Sequence, residues 1–187
     1  MNFKCPHIFN YKSVGKIKTQ VTYIEMTECP KDIYTGYEQL EVLPYTKRDA
    51  HEYLGLYHEM GSHLEWTGRK LLSENEIDAI LESPRVEILL LRVDEEVAGF
   101  VEFDLRDSKE EIEIVFFGIL PKFYGQKLGV KFLGWCIEYA WNILKCKKLW
   151  LHTCDLDHPK ALETYLKSGF RKIKEEIELV DQIEEIS

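Results

Sequence analysis

The chain has no run of about 18 apolar residues, so nothing in it reads as a membrane-spanning helix. It is short of basic residues: 24 Lys and Arg stand against 33 Asp and Glu, a formal net charge of −9. A nucleic-acid backbone needs clustered positive charge, so neither DNA nor RNA is expected as the main partner, nor is a membrane. The same deficit suits a cationic or amine-bearing partner. Cys5, Cys29, Cys136, Cys146 and Cys154 are odd in number and form no C-x-x-C pair, which argues against a disulfide framework and for reduced thiols in a cytoplasmic protein. The stretch 1–20 carries lysines but no apolar core, so it does not read as a secretory signal. Internal repeats and low-complexity segments are absent.

What is present is ordinary for a folded domain: 187 residues, 45% apolar and 30% charged. Residues 1–20 are aperiodic and read as an N-terminal arm, followed by one domain over 21–187. Alternation with β-branched residues predicts a strand from Val21 to Thr27. Tyr45 to Met60 has helical spacing, with Gly61 as a candidate C-cap. Ser73 and Glu76 form a capping-box pattern before a second helix that Pro84 stops. Strands follow over Val86–Val93 and Val97–Leu105 as a hairpin, with a polar turn over 106–110.

The organising stretch lies between Glu111 and Leu144. Ile112 to Ile119 is apolar on both faces after Glu113, the mark of a central strand, and Gly118 within it suggests a bulge or a close approach by a ligand. Pro121 ends the run, Gly125 and Gly129 follow, and a helical stripe begins: Leu128, Phe132, Leu133, Cys136, Ile137, Ala140, Ile143 and Leu144. A strand–turn–helix junction aims free N–H groups and the positive end of a helix dipole at one point, which suits the phosphates of a nucleotide-like cofactor. The competing reading is a turn that uses glycine only for geometry. A strand over Lys148–Cys154, a short helix carrying Ala161, Leu162, Tyr165 and Leu166 and ended by Gly169, an alternating strand over Arg171–Val180 and a charged tail over 181–187 complete the order. Strand–helix–strand from 111 to 153 should be a parallel crossover among otherwise antiparallel pairs. The expected fold is therefore α/β (α+β): a mixed sheet of about six to seven strands with helices on both faces, whose edges leave a homodimer possible.

This order resembles the GNAT superfamily of acyl-CoA-dependent N-acyltransferases. Pro121, Phe123, Gly125 and Gly129 match the family's phosphate loop, with Tyr124 and Lys127 as the departures. His158 to Phe170 is similar to its N-x-x-A-x-x-x-Y-x-x-x-G-F signature, with His158 in place of Asn. The resemblance implies acetyl-CoA as cosubstrate, held by Tyr124, Gly125, Gln126, Lys127, Leu128, Gly129 and Val130. Phe117, Gly118 and Ile119 would lie along pantetheine, with Cys154, His158 and Ala161 on the far side. It also implies transfer of an acetyl group to a primary amine, small-molecule or peptide, by direct attack in a ternary complex.

Glu113 is the candidate general base, as the last carboxylate before a buried apolar run. Glu102 and His152 are its rivals, and a solvated strand-edge Glu is the bland alternative. Tyr165 is the candidate general acid, or else a core aromatic. Trp66, Tyr57 and Arg69 are candidates for the acceptor wall. The cluster of His152, Cys154 and His158 with Asp155 and Asp157 fits no structural zinc spacing, so no metal is expected. A non-catalytic acyl-CoA-binding or interaction domain of the same fold is the alternative.

Overall fold

The computed structural model describes residues 10–31, 39–47, 49–105 and 110–186. The elements are β1 (Tyr11–Met26), β2 (Glu41–Pro44), α1 (Ala50–Gly61), α2 (Glu74–Glu82), β3 (Val86–Val93), β4 (Glu96–Asp104), β5 (Glu111–Ile119), α3 (Leu128–Asn142), β6 (Lys148–Cys154), α4 (Ala161–Lys167) and β7 (Arg171–Glu185). They form one seven-stranded sheet in the order β2-β3-β4-β5-β6-β1-β7. Every pairing is antiparallel except β5 with β6, the parallel pair expected of a crossover through α3.

Both faces are covered. Side chains of α3 pack on one face with Ile24, Leu91, Val101, Phe103, Ile112 and Leu149. On the other, Tyr53, Leu56, Tyr57 and Met60 of α1 and Ile77 of α2 pack with Ile88, Val97 and Phe100. Along β4, Val97 and Phe100 lie on one side and Ala98, Val101 and Phe103 on the other; an extra residue at Ala98 shifts the period of two, and the strand is buried on both faces. Local signals hold where they were strong. Ser73 and Glu76 form the reciprocal capping box expected of α2; α1 is capped by Asp49, which accepts the Glu52 N–H at 2.8 Å, and Gly61, expected as its C-cap, is its last helical residue.

Several expectations need correction. Residues 11–20, assigned to an arm, are the first half of β1. Its covered side is made by Tyr11, Gly15, Ile17 and Thr19, few of them apolar, so it carries little hydrophobic period to read. Residues 1–9 of that arm, with Cys5, lie outside the described residues, as do 106–109 of the polar turn and Ser187 of the tail. The rest of the charged tail continues β7 as far as Glu185 for the same reason. The short edge strand β2 was not anticipated, and α1 begins at Ala50 rather than near Tyr45. The helix placed from about Gly125 starts at Leu128, because Lys127 is left-handed. Ile143, read as buried, is 63% exposed, since α3 ends before it.

One irregularity re-aims the centre of the sheet. Glu102 pairs with Phe116 and Phe103 with Ile114, so Val115 is an extra residue in β5. This bulge breaks the period of two. Strict alternation along β5 would put Glu113 on the face of Phe117 and Ile119. Instead Ile112 and Ile114 share the α3 face with Phe117 and Ile119, and Glu113 points to the α1 face.

Candidate active site

The parallel ladder between β5 and β6 is short: Glu111 pairs with Lys148, Ile112 with Leu149, and Glu113 with Trp150. Beyond it β5 runs on to Ile119 and β6 to Cys154 without pairing to each other. The strands therefore splay, and a cavity of about 650 Å³ opens between them. On the wedge side, the backbone of β5 beyond Ile114 has no β6 partner and is free to bond an extended, amide-bearing chain.

The wedge leads to the N-terminus of α3. Pro121–Phe123 forms a single 3₁₀ turn, Gly125 (φ +81°) and Lys127 (φ +58°) are both left-handed, and α3 then begins at Leu128. Its first turn holds no acidic residue and no side chain caps it. Bare N–H groups at the positive end of a 15-residue helix make an anion cradle. Gly125 is required by its backbone angle alone, since a Cβ there would meet nothing within 4 Å. Gly125→Ala should therefore cost about 1–2 kcal/mol of loop strain. We expect it to weaken acetyl-CoA binding about tenfold by titration calorimetry, with the far-ultraviolet spectrum unchanged.

Phe117, Gly118, Ile119, Tyr124, Gly125, Lys127, Leu128, Gly129, Val130, Cys154, His158 and Ala161 all line the cavity, as do His152 and Tyr165. Gln126 and Glu113 are not among the lining residues. Tyr124 turns to the rim, where its hydroxyl lies 2.9 Å from His63 Nε2 and its ring meets that of His158 edge-on. It leaves the cradle open. Gly118 admits protein rather than ligand: a Cβ would come within 2.6 Å of Met60 and 3.4 Å of Trp66.

Glu113 is 6% exposed and lies behind His152, with Oε1 3.5 Å from His152 Nδ1. The carboxylate contact raises the His152 pKa above the ordinary imidazole value, against the opposing effect of burial. Tyr23 packs against the His152 ring at 5.6 Å and donates its hydroxyl to Glu178 at 2.6 Å. Across the wedge, Tyr165 of α4 is 9% exposed and packs edge-on against Phe117 and Phe170. Burial pushes its phenol well up, so it keeps its proton at neutral pH. Its neighbour Leu166, read as part of the same buried stripe, is 37% exposed.

Glu102, the other rival for the base, is fully buried and committed: Oε1 accepts Arg69 Nη2 at 2.5 Å and Oε2 accepts the Tyr53 hydroxyl at 2.5 Å. Arg69 does not line the cavity, while Tyr57 and Trp66 do. Asp157 accepts from Trp66 Nε1 at 3.1 Å, Thr153 Oγ1 at 2.7 Å and the Cys154 N–H at 3.1 Å. It ties the loop after α1 to the end of β6 across the mouth of the wedge. No local pattern announces that bridge, because Trp66 is distant in sequence. Lys160 N–H donates to His158 Nδ1 at 3.2 Å at the entrance to α4. The Cys154 thiol is pushed up by burial and by Asp157, so it is no thiolate. Among the described residues, no group of three or more His, Cys, Asp or Glu is arranged to hold a metal ion, and no helix is long and apolar enough to cross a membrane.

Solved structures share this fold. A conserved protein of unknown function from Staphylococcus epidermidis superposes with a TM-score of 0.62 at 14% identity, over 93% of this chain and 64% of that one. A GCN5-related N-acetyltransferase from Kribbella flavida gives 0.54 at 15% identity, over 92% and 60%. A GNAT family acetyltransferase from Elizabethkingia anophelis with acetyl-CoA bound gives 0.52 at 20% identity, over 80% and 99%. The chain thus spans less than two thirds of the length of the first two. No curated protein matches it in sequence. The model of the acetyltransferase (GNAT) family matches residues 38–170, and the chain belongs to that family.

Proposed function

We propose that the chain moves an acetyl group from acetyl-CoA to a primary amine by direct attack within a ternary complex. The carrying observation is the wedge between β5 and β6, which ends on the bare N-terminus of α3. The N–H groups from Gly125 to Val130 would hold the pyrophosphate, and the backbone of Phe117 and Ile119 the pantetheine amides. Acetyl-CoA would supply an activated thioester, with its carbonyl oxygen within reach of a backbone N–H near Phe117.

His152 and Glu113 serve as the base. His152 reaches the cavity and takes the ammonium proton, and the Glu113 carboxylate behind it stabilises the resulting imidazolium. The freed amine nitrogen bonds to the acyl carbon, the carbon–sulfur bond breaks, Tyr165 gives its proton to the departing thiolate, and the second proton shed by the new amide nitrogen restores the Tyr165 phenol. A protonated Cys154 makes an acyl-cysteine intermediate unnecessary. Trp66, Tyr57 and the loop that Arg69 anchors form the acceptor wall.

Titration calorimetry with acetyl-CoA, followed by thiol release across a panel of amines, peptides and polyamines, tests this. We expect saturable one-to-one binding and amine-dependent thiol release. Binding without turnover on any acceptor would leave a cofactor-binding module. Absence of binding would remove the proposal altogether.

A further inference from the structure

The loop after α1 crosses the wedge and is fastened to both of its lips. It opens with a 3₁₀ turn over Ser62–Leu64. Glu65 is left-handed (φ +56°) and turns the chain back, so that the Trp66 N–H bonds to the Gly61 carbonyl at 3.1 Å. Leu64, Glu65, Trp66, Thr67 and Gly68 then line the cavity, and Arg69 anchors the far end on buried Glu102. One fastening is Trp66 Nε1 to Asp157 Oδ1 at 3.1 Å, just beyond β6. The other is His63 Nε2 with the Tyr124 hydroxyl at 2.9 Å, beyond β5.

The indole has a built seat. Two glycines make room for it: a Cβ at Gly61 would run into the ring, and one at Gly118 would come within 3.4 Å. The ring packs against Phe116 at 5.3 Å and Tyr57 at 5.4 Å. Asp157 is itself held by the Thr153 hydroxyl and the Cys154 N–H, which present its other oxygen to the indole. Trp66 therefore rests on β5 and bonds to the chain beyond β6, so the side chain spans the splay. Where the two strands part, neither gives cover to a group lying between them. The indole does.

We propose that Trp66 is a positioning residue that holds 62–68 as a strap over the wedge and keeps bulk water from the acetyl thioester, so that the acyl group goes to an amine and not to water. The inference rests on the acetyl-CoA reading above. The reaction that the strap suppresses is hydrolysis. In it a water oxygen bonds to the acyl carbon, the carbon–sulfur bond breaks, acetate and the CoA thiol leave, and one proton passes to solvent.

Two measurements on the full chain test it. Trp66→Phe keeps a ring between Tyr57 and Phe116 but removes the indole N–H, and His63→Ala releases the other lip. Hydrogen exchange reads the strap: amides of 62–68 should exchange about tenfold faster in Trp66→Phe, and faster again with His63→Ala added, while the central strands keep their protection. Acetyl-CoA alone, with no amine present, reads the chemistry. Release of acetate and CoA thiol should rise at least about fivefold in Trp66→Phe and further in the double variant. Affinity for acetyl-CoA by calorimetry should stay within about twofold of wild type. A loosened strap with unchanged hydrolysis overturns the proposal, because Trp66 would then serve the fold alone. Unchanged exchange overturns it as well, because the bond to Asp157 would not be what fastens the loop. A wild type that binds no acetyl-CoA removes the acetyl-CoA reading and this inference together. A wild type that binds and transfers, with Trp66→Phe no more hydrolytic, removes this inference alone.

Discussion

Glu113→Gln should lower kcat/KM at least about a hundredfold and leave acetyl-CoA affinity nearly unchanged. The carboxylate is 6% exposed, lies outside the cavity lining and stands 3.5 Å from His152. Its charge therefore acts on the proton carried by His152 rather than on the bound nucleotide. The direction of the pH effect follows from the same contact. Glu113 favours the imidazolium, so the pKa of His152 sits above the ordinary value of about 6.5. A base must be neutral to act, so wild-type kcat/KM should fall as pH drops through that raised value. In Glu113→Gln the attraction is gone and the opposing burial remains, so the acidic limb should move to lower pH while the plateau falls. Were Glu113 itself the group that takes the substrate proton, the limb would vanish in Glu113→Gln and survive in His152→Gln. Full activity in both variants would exclude the pair from proton transfer.

The second large effect is structural. Arg69→Met should destabilise the fold by about 3–5 kcal/mol, because it strands a buried carboxylate. Glu102 is 0% exposed, and its two oxygens accept Arg69 and Tyr53 at 2.5 Å each. Burial and the neighbouring carboxylate push the Tyr53 phenol well up, so it stays a donor. The guanidinium also lies 5.0 Å over the Phe116 ring. For a chain of this length each kcal/mol shifts the melting midpoint by roughly 2–4 °C, so a fall of roughly 6–20 °C is expected. Arg69→Met with Glu102→Gln removes both charges and should recover most of the loss, measured by urea unfolding at equal slope. A single-variant change below about 1 kcal/mol would mean that water reaches Glu102. Arg69 closes the stretch Glu65–Arg69 whose earlier residues line the cavity, so the single variant should also raise KM for the acceptor more than for acetyl-CoA.

The centre of the fold was legible where the hydrophobic period changes. β5 gives way to Pro121, a turn with Gly125, and the stripe of α3, and those signals sit in consecutive residues. The matches at Tyr165 and Gly169 were local in the same way. What escaped was weakly patterned or distant. The outer halves of β1 and β7 are covered on one side partly by residues that are not apolar, such as Gly15, Thr19, Glu178 and Asp181, which blurs their hydrophobic alternation, although they pair with each other from Tyr11 and Glu185 inward. The bulge at Val115 leaves no mark in composition, yet it decides which face Glu113 occupies relative to Phe117.

Apart from β2, the sequence by itself determined the order of elements, the glycine turn before α3 and the family, because each rests on side-chain period and backbone-favoured residues within a few positions of one another. Tertiary structure alone decided which partner each of the two buried carboxylates meets. Glu102 is neutralised by an arginine 33 residues away, and Glu113 gains a histidine from the next strand. Electrostatic partnership depends on distance in space, which falls off far too steeply to be read from distance along the chain.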